Sequence, residues 1–311
     1  MRSRGINYDT GFLPGAASRP VFDPESVRRD LATIATDLHC DAVRISGVDL
    51  DRLDVAAGYA AEAGLSVWYC PFPVDLPPGR MRELFVDGAI RAERWRRRGA
   101  DVGYLAGCEL SLFGAGFLPG DTYRDRLAAM AAADLDWWLS LGPVADRVNG
   151  FLTDTAHRVR DVFGGSVGYA SGPWEAVDWA PFDVVGVDAY RAAYNAQRYR
   201  EEIRGHARHG KPVVVTEFGT CPYRGAGDRG GSAWQVPDGA VRDEAEQVRY
   251  LGELLDVFEA EGVDTALWFT YADFLRTGET DLGSYGVVRI GADGTRTPRR
   301  VFAAMADRYR R

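Results

Sequence analysis

The chain has 311 residues, of which 46% are hydrophobic and 26% charged, and its formal net charge is -8. This composition predicts a globular protein with a sizeable core and excludes a largely disordered chain. The acidic balance argues against a nucleic-acid partner, since the one dense basic run, residues 91–98, has the spacing of a solvated helix face.

The chain contains no run of about 18 apolar residues, and it begins MRSRGINYDTG, without the apolar core of a signal peptide. We therefore expect no membrane partner and a cytoplasmic location. The four cysteines are spread singly, without a CxxC pair, so we expect reduced thiols rather than disulfides or a zinc site. No dinucleotide-binding or Walker motif is present, so no cofactor is expected.

Eight short apolar runs bounded by turn residues alternate with amphipathic segments along the chain, which is typical of parallel βαβ units. The predicted strands are 4–9, 41–47, 66–72, 104–110, 166–171, 183–190, 211–219 and 264–273. Residues on neighbouring positions of a strand face opposite ways, so Trp68 and Tyr69 on the third strand cannot both point inward.

Helices are expected between these strands, the first with Asp23 as its N-cap and Pro24 at its first position. The others are predicted at 50–63, 81–98, 122–141, 145–163, 194–209, 243–261 and 298–311. Only about a dozen residues separate the fifth and sixth strands, barely enough for a short helix. The alternation predicts a single (β/α)8 TIM barrel spanning 1–311, with a long Gly-rich loop, 221–241, after the seventh strand.

Two glutamates end apolar strands on the face where such barrels carry their chemistry. Glu109 closes the fourth strand and Glu217 closes the seventh, in the stretch VVVTEFGTC. The strands that carry them lie on opposite sides of a barrel mouth, so both carboxyl groups are expected to reach toward its axis. Glycoside hydrolysis uses such a pair, one carboxyl group as the proton donor and the other as the nucleophile or base.

With these two glutamates the sequence resembles the large clan of retaining (β/α)8 glycoside hydrolases, clan GH-A. The resemblance implies Glu109 as general acid/base and Glu217 as nucleophile, with the carboxyl groups about 5 to 5.5 Å apart. It extends to Arg44 and Tyr190, which would hold the nucleophile as a carboxylate, and to Trp268, which would form the floor of the sugar subsite. The implied function is cleavage of an O-glycosidic bond in a small-molecule or oligosaccharide glycoside.

One position departs from the clan pattern, because Cys108 stands where an asparagine usually precedes the strand-four glutamate. A thiol is a weak donor and acceptor, so recognition of the sugar's 2-hydroxyl by this residue is in question. Three alternatives stay open: another group binds that hydroxyl, the substrate is not an ordinary 2-hydroxy sugar, or the site has lost its activity. The competing functions are therefore a non-catalytic carbohydrate-binding or interaction barrel, and a barrel enzyme that acts on a small glycosylated metabolite or catalyses a different acid/base reaction with the same pair.

Other residues near the strand ends are weaker candidates. Asp188 either contacts substrate or supports its neighbours, and Asn7 at the end of the first strand either lines the sugar subsite or belongs to a turn. Trp234 lies in the loop 221–241, which we expect to help define the aglycone side. Trp137, Trp138, Trp174 and Trp179 are expected to pack in the helical layer.

A second resemblance is to actinobacterial proteins labelled "abortive infection protein", through HGKPVVVTEFGTCPYRGA and the following GGSAW. That label implies no chemistry. Nothing in the sequence predicts an oligomeric state.

Overall fold

The computed structural model describes residues 1–310 and is built around a parallel eight-stranded sheet. Its strands follow the order β5-β4-β3-β2-β1-β8-β7-β6, and Ser171 pairs with Val187 to join the two ends. The Ser171 amide donates to the Gly186 carbonyl at 3.0 Å, which closes the barrel. The predicted TIM barrel is confirmed. The strands are β1 (Ser3–Gly11), β2 (Ala42–Gly47), β3 (Ser66–Pro71), β4 (Val102–Cys108), β5 (Val167–Ala170), β6 (Val185–Asp188), β7 (Val213–Phe218) and β8 (Thr265–Trp268).

Ten α-helices lie within residues 1–310, on the outside of the sheet and on the loops. The first begins as predicted, since the Asp23 side chain accepts from the Glu25 and Ser26 amides and Pro24 follows it. The helices are α1 (Pro24–Thr36), α2 (Leu50–Glu62), α3 (Pro78–Arg97), α4 (Leu110–Phe113), α5 (Tyr123–Ala131), α6 (Leu135–Leu139), α7 (Gly142–Arg160), α8 (Tyr199–Gly205), α9 (Glu244–Ala260) and α10 (Arg300–Tyr309). None of the described helices is long and apolar enough to cross a membrane.

The predicted helix 122–141 is divided in two, because Asp134 accepts from the Trp137 amide and begins a new helix, α6. The connection between β5 and β6 contains no helix. Its backbone is held instead by Lys211, the chain's only lysine, whose ammonium donates to the carbonyls of Trp179, Ala180 and Phe182. A short antiparallel hairpin near the C-terminus, β9 (Val288–Ile290) and β10 (Arg296–Pro298), was not predicted.

Side chains alternate between two cores along the barrel strands. Val43 and Ile45 of β2 pack outward against the helices, which turns Arg44 into the barrel interior. On β3, Tyr69 belongs to the outer core and Trp68 to the inner one, as the alternation requires. Trp68 lies directly opposite Gly103 of β4, where a Cβ would stand 2.6 Å from the indole ring. The inner core therefore supports the polar groups at the strand ends.

Candidate active site

Strands β2, β4, β6 and β7 bring five polar side chains together inside the barrel. They are Arg44, Cys108, Asp188, Thr216 and Glu217. The register between β7 and β8 shifts between Val215 and Phe218, and both Thr216 and Glu217 reach the interior there. Glu217 lies opposite Asp188 in the pairing of β7 with β6. The apolar strand VVVTEF thus ends on a carboxylate because that carboxylate emerges among polar groups of neighbouring strands.

Glu217 is held from two sides by direct hydrogen bonds. Arg44, which is fully buried, donates from Nη1 to Glu217 Oε1 at 2.7 Å, and the Tyr190 hydroxyl donates to Oε2 at 2.9 Å. Burial and the nearby charge of Glu217 raise the pKa of Tyr190 well above its usual range, so the phenol keeps its proton. The structure thus places Arg44 and Tyr190 against the two carboxyl oxygens of Glu217.

Asp188 lies beneath Glu217 and is almost fully buried. Thr216 donates to its Oδ1 at 2.7 Å, and the Arg44 guanidinium is 3.9 Å from the same oxygen. Burial, followed by the negative charge of Glu217, raises the pKa of Asp188 well above its usual range, against the opposing effects of Arg44 and Thr216. These contacts are with protein groups, which gives Asp188 a supporting position.

Cys108 belongs to this network and is 2% exposed. Its thiol donates to Asp188 Oδ2 at 3.3 Å and lies 3.7 Å from Glu217 Oε1. Burial, followed by the charge of Asp188, raises the pKa of the thiol, so the sulfur keeps the proton that it donates. Cys108 thus contacts two carboxyl groups.

The donor atoms of Cys108, Asp188 and Glu217 all lie within 4.8 Å of one another, a spacing that could hold a metal ion. The Arg44 guanidinium already contacts both carboxyl groups, however, and a second cation would be repelled by it. Cys70 accepts from Arg44 at 3.5 Å, whereas Cys221 lies in a separate cluster under the loop 221–241. The three thiols near the strand ends therefore do not form one group.

Glu109 follows the last residue of β4 and has a left-handed backbone conformation, with φ 44° and ψ 45°. Such angles are uncommon for a residue other than glycine and often mark functional sites. The Glu109 amide donates to the Ala170 carbonyl at 2.9 Å, which ties the turn to β5. Burial, followed by the charges of Asp188, Glu217 and Glu175, raises the pKa of the Glu109 carboxyl group well above its usual range. This carboxyl group is suited to donate a proton at neutral pH.

A narrow cleft opens beside Glu217 at the barrel mouth. Asn7 forms part of its wall and donates from Nδ2 to the carbonyls of Thr216, Leu267 and Trp268, while its Oδ1 has no partner among the described residues. This amide joins β1 to β7 and β8 and leaves one acceptor free. The cleft is lined by Asn7, Tyr8, Asp9, Phe12, Ser46, Phe72, Glu217, Phe269 and Thr270.

Trp268, the predicted floor of the sugar subsite, lies outside this cleft. It is fully buried, donates from Nε1 to the Tyr285 carbonyl at 3.1 Å and packs against Phe218 and Tyr250. Its neighbour Phe269 lines the cleft instead. The structure therefore brings Phe269 rather than Trp268 to the cleft.

The loop 221–241 packs around its own small core rather than around Glu109. The Tyr223 hydroxyl donates to the Ala233 carbonyl at 2.8 Å, and the Tyr285 hydroxyl donates to the Gly230 carbonyl at 2.9 Å. Trp234 is half-buried at the edge of this cluster, 5.4 Å from the Arg276 guanidinium. The cluster contacts Tyr190 and Phe269, so the loop lies on the Glu217 side of the mouth, and the structure does not bring Trp234 to the cleft.

A second cavity lies between the segments that follow β4 and β5, near Glu109, although Glu109 itself does not line it. Trp174 donates from Nε1 to Ser111 Oγ at 3.0 Å, and the Ser111 amide donates to Glu175 Oε1 at 2.9 Å. Sequence reasoning assigned Trp138 and Trp174 to packing, which holds for the buried Trp179 but not for these two. The cavity is lined by Ser111, Leu118, Trp138, Leu141, Gly142, Val144, Ala145, Val148, Trp174, Glu175, Ala176 and Val177.

Comparison with known proteins finds similarity in structure but not in sequence. No protein-family model matches the chain, and no curated protein matches it. A GH113 β-1,4-mannanase is similar in structure at 16% identity and a TM-score of 0.66, with 99% of each chain covered.

Two further solved structures come from named organisms. The GH113 β-mannanase AaManA from Alicyclobacillus acidocaldarius, in complex with ManMIm, is 16% identical with a TM-score of 0.67, covering 99% of this chain and 97% of that one. Gas2p from Saccharomyces cerevisiae, in complex with laminaripentaose, is 14% identical with a TM-score of 0.57, covering 99% of this chain and 64% of that one. At these identities the similarity establishes that the chain shares the barrel fold of these proteins.

Proposed function

We propose that this chain is a retaining glycoside hydrolase that cleaves an O-glycosidic bond by double displacement. The observation that carries the proposal is the contrast between two glutamates at one barrel mouth. Glu217 is bound by Arg44 and Tyr190, which stabilise a carboxylate, whereas burial and neighbouring negative charge raise the pKa of Glu109. A carboxylate nucleophile and a proton donor are the two groups that this reaction needs.

In the first step, a Glu217 carboxylate oxygen attacks the anomeric carbon while Glu109 gives its proton to the departing oxygen. The glycosidic bond breaks, and the aglycone leaves as an alcohol. In the second step, Glu109, now a carboxylate, takes a proton from water, and the water oxygen attacks the anomeric carbon. The bond to Glu217 breaks, and the sugar leaves with the configuration it had in the substrate.

The remaining cleft residues suggest how the sugar is held. Phe269, which lines the cleft, offers the aromatic face that the buried Trp268 cannot. Asp188 and Cys108 support Glu217 from below. The names of the structurally similar proteins, which include β-1,4-mannanases, favour a glycoside as the substrate.

A panel of nitrophenyl glycosides tests the proposal. The wild-type protein should hydrolyse at least one of them, and Glu217→Gln should lower kcat/KM by about 10³-fold or more. Azide should restore turnover to Glu109→Ala by attacking the glycosyl-enzyme, giving a glycosyl azide of retained configuration that NMR identifies. Glu93→Gln is a matched control, because Glu93 pairs with Arg96 and Arg97 on α3, away from the cleft.

A non-catalytic carbohydrate-binding barrel is the second candidate, and Cys108 in place of the usual asparagine is the observation that favours it. Sugar binding measured by calorimetry, without turnover of any glycoside in the panel, would support this candidate against the hydrolase. Hydrolysis that survives Glu217→Gln would contradict the proposed nucleophile, and a product of inverted configuration would contradict double displacement.

A cytoplasmic location and the absence of nucleic-acid and membrane partners remain part of the proposal. The four cysteines, all buried and unpaired, are compatible with a reducing compartment. Fractionation of cells that express a tagged chain would test the location.

A further inference from the structure

We infer that the cavity beside Glu109 binds the leaving group of the substrate, and that this group is an apolar aryl or alkyl aglycone rather than a further sugar. The inference rests on the proposed function and deepens it. The cavity has a volume of about 260 Å³, close to the lower end for small-molecule sites, which is enough for a bicyclic aromatic group.

The cavity lies on the side of the barrel mouth that carries Glu109. Ser111 lines the cavity and lies two residues beyond Glu109, and Glu175, which also lines it, is near enough to Glu109 for its charge to contribute to the raised pKa of that group. The proton of Glu109 goes to the oxygen that joins the sugar to its aglycone, so the aglycone lies on the Glu109 side. The sugar then lies toward Glu217, where the cleft has a volume of only about 10 Å³ in this structure and has to widen to admit it.

The walls of the cavity are mostly apolar. Trp138, Leu141, Val144 and Trp174 present apolar surface to the cavity and are all partly exposed, so burying them against an apolar group is favourable. Two indole rings in one small cavity favour an aromatic or extended alkyl partner.

The polar groups of the cavity already have hydrogen-bond partners within the protein. The Ser111 hydroxyl accepts from the Trp174 indole. Glu175 Oε1 accepts from the Ser111 amide, and Oε2 accepts from the Tyr169 hydroxyl at 2.8 Å and from the Gly172 amide at 3.1 Å. A second sugar would bring several hydroxyl groups into a space with few free partners, at a cost in desolvation.

A binding measurement without catalysis tests the cavity itself. Calorimetry should detect saturable binding of 2-naphthol to the wild-type protein. Trp138→Ala, which removes a wall, and Ala145→Trp, which fills the cavity, should each weaken that binding about tenfold or more. Leu139→Ala is the matched control, because Leu139 is adjacent to Trp138 on α6, is largely exposed and does not line the cavity. Equal binding to all four proteins, or no binding to any, would overturn the inference.

A kinetic measurement tests the role of the cavity in turnover. For one sugar, the octyl glycoside should have a kcat/KM at least tenfold above that of the methyl glycoside, whose leaving alcohol has a similar acidity. Trp138→Ala should lower kcat/KM more for the octyl glycoside than for the methyl glycoside and so reduce this ratio, and a 2-naphthyl glycoside reports the aryl case in the same way.

The two measurements test the apolar aglycone site and the hydrolase separately. Turnover of glycosides without naphthol binding or an octyl preference would overturn the apolar aglycone site and leave the hydrolase standing. Naphthol binding that responds to the variants, with no glycoside turned over, would support the apolar cavity and contradict the hydrolase.

Discussion

Glu217 and Glu109 stand at the ends of strands on opposite sides of one barrel mouth, yet their surroundings differ in almost every respect. Glu217 accepts from Arg44 and Tyr190, and the Cys108 thiol is also within reach. Within residues 1–310 the Glu109 carboxyl group has no hydrogen-bond or ion-pair partner. It lies among the negative charges of Asp188, Glu217 and Glu175.

The difference explains how one residue type can take two chemical roles. A buried carboxyl group that receives a guanidinium and a phenol is stabilised as an anion, and one that meets burial and like charges holds its proton. The residues that line the two cavities also differ, since about half of those in the cleft at Glu217 are polar and only Ser111 and Glu175 carry polar groups among the non-aromatic residues of the other, although the surface exposed in both is mostly apolar.

Removing Arg44 should have the largest effect. Arg44→Met leaves Glu217 and Asp188, both buried, without their shared cation, and breaking a buried ion pair costs about 3–5 kcal/mol. We expect kcat/KM to fall about 10³-fold or more. The free energy of unfolding should drop by about 3–5 kcal/mol, the cost of breaking the ion pair. Denaturant unfolding and kinetics on a nitrophenyl glycoside measure both effects.

Arg44→Lys is the control for this change, because it keeps the charge but loses the planar guanidinium that reaches Glu217 and Asp188 together. It should recover part of the stability. A fully active and stable Arg44→Met protein would show that the guanidinium does not organise the site.

Replacing Glu109 with glutamine should lower activity strongly, but only for substrates whose leaving group needs a proton. Glycosyl transfer to Glu217 needs protonated Glu109, so activity should fall as pH rises through the raised pKa of Glu109, and this alkaline limb should disappear in Glu109→Gln. General acid catalysis contributes about 10²–10⁴-fold, so kcat/KM for an octyl glycoside should fall about 10²-fold or more.

A dinitrophenyl glycoside, whose leaving group needs no proton, is the matched control for Glu109→Gln and should lose much less. Equal losses for the two substrates would assign Glu109 a role other than proton donation.

The Tyr190 hydroxyl is worth less than the guanidinium, because it is a neutral donor. A hydrogen bond to a charged group contributes about 1.5–3 kcal/mol, so Tyr190→Phe should lower kcat/KM about ten- to a hundredfold. Tyr199→Phe removes a comparable buried hydroxyl, which donates to the Ala189 carbonyl rather than to Glu217, and should leave kcat/KM nearly unchanged. Similar losses in both variants would point to a general packing effect.

Much of this arrangement is legible in the sequence, because strand periodicity is a strong signal. The eight apolar runs predicted the barrel, and the carboxyl groups that close two of them predicted Glu109 and Glu217 as a pair, whereas Arg44 and Tyr190 were predicted only through the resemblance to a family. Alternation within β2 also requires Arg44 to point inward once Val43 and Ile45 point outward.

The parts that could not be predicted depend on where a strand stops and on contacts between distant segments. Strand β8 ends at Trp268, one residue before the aromatic ring that enters the cleft, and alternation cannot choose between two adjacent rings when the end is unknown. The cavity beside Glu109 is assembled from residues between 111 and 177, whose proximity no local pattern encodes. The partners of Cys108 lie 80 and 109 residues away.

Asp9 lies in the same cleft as Glu217, but no cation contacts its carboxyl group directly. Its replacement should have the smallest effect of the changes considered. Its Oδ1 accepts from the Gly11 amide at 2.6 Å and from the Ser18 hydroxyl at 3.0 Å, whereas Arg19 donates to the Asp9 backbone carbonyl rather than to the carboxyl group. Burial raises the pKa of Asp9 from its ordinary value of 3.8 to about 6, against the lowering effect of these donors.

A carboxyl group with a raised pKa stabilises the fold while protonated, so this contribution is complete below about pH 4 and is lost as pH rises through about 6. Asp9→Asn stays neutral and can still accept from Gly11 and Ser18. Its free energy of unfolding relative to wild type should therefore rise between pH 4 and pH 7.5, by up to about 3 kcal/mol for a shift of about two units. Urea unfolding of both proteins at several pH values measures the difference. A difference that does not change with pH would mean that the Gly11 and Ser18 donors stabilise the Asp9 carboxylate in the fold as well as water does in the unfolded chain.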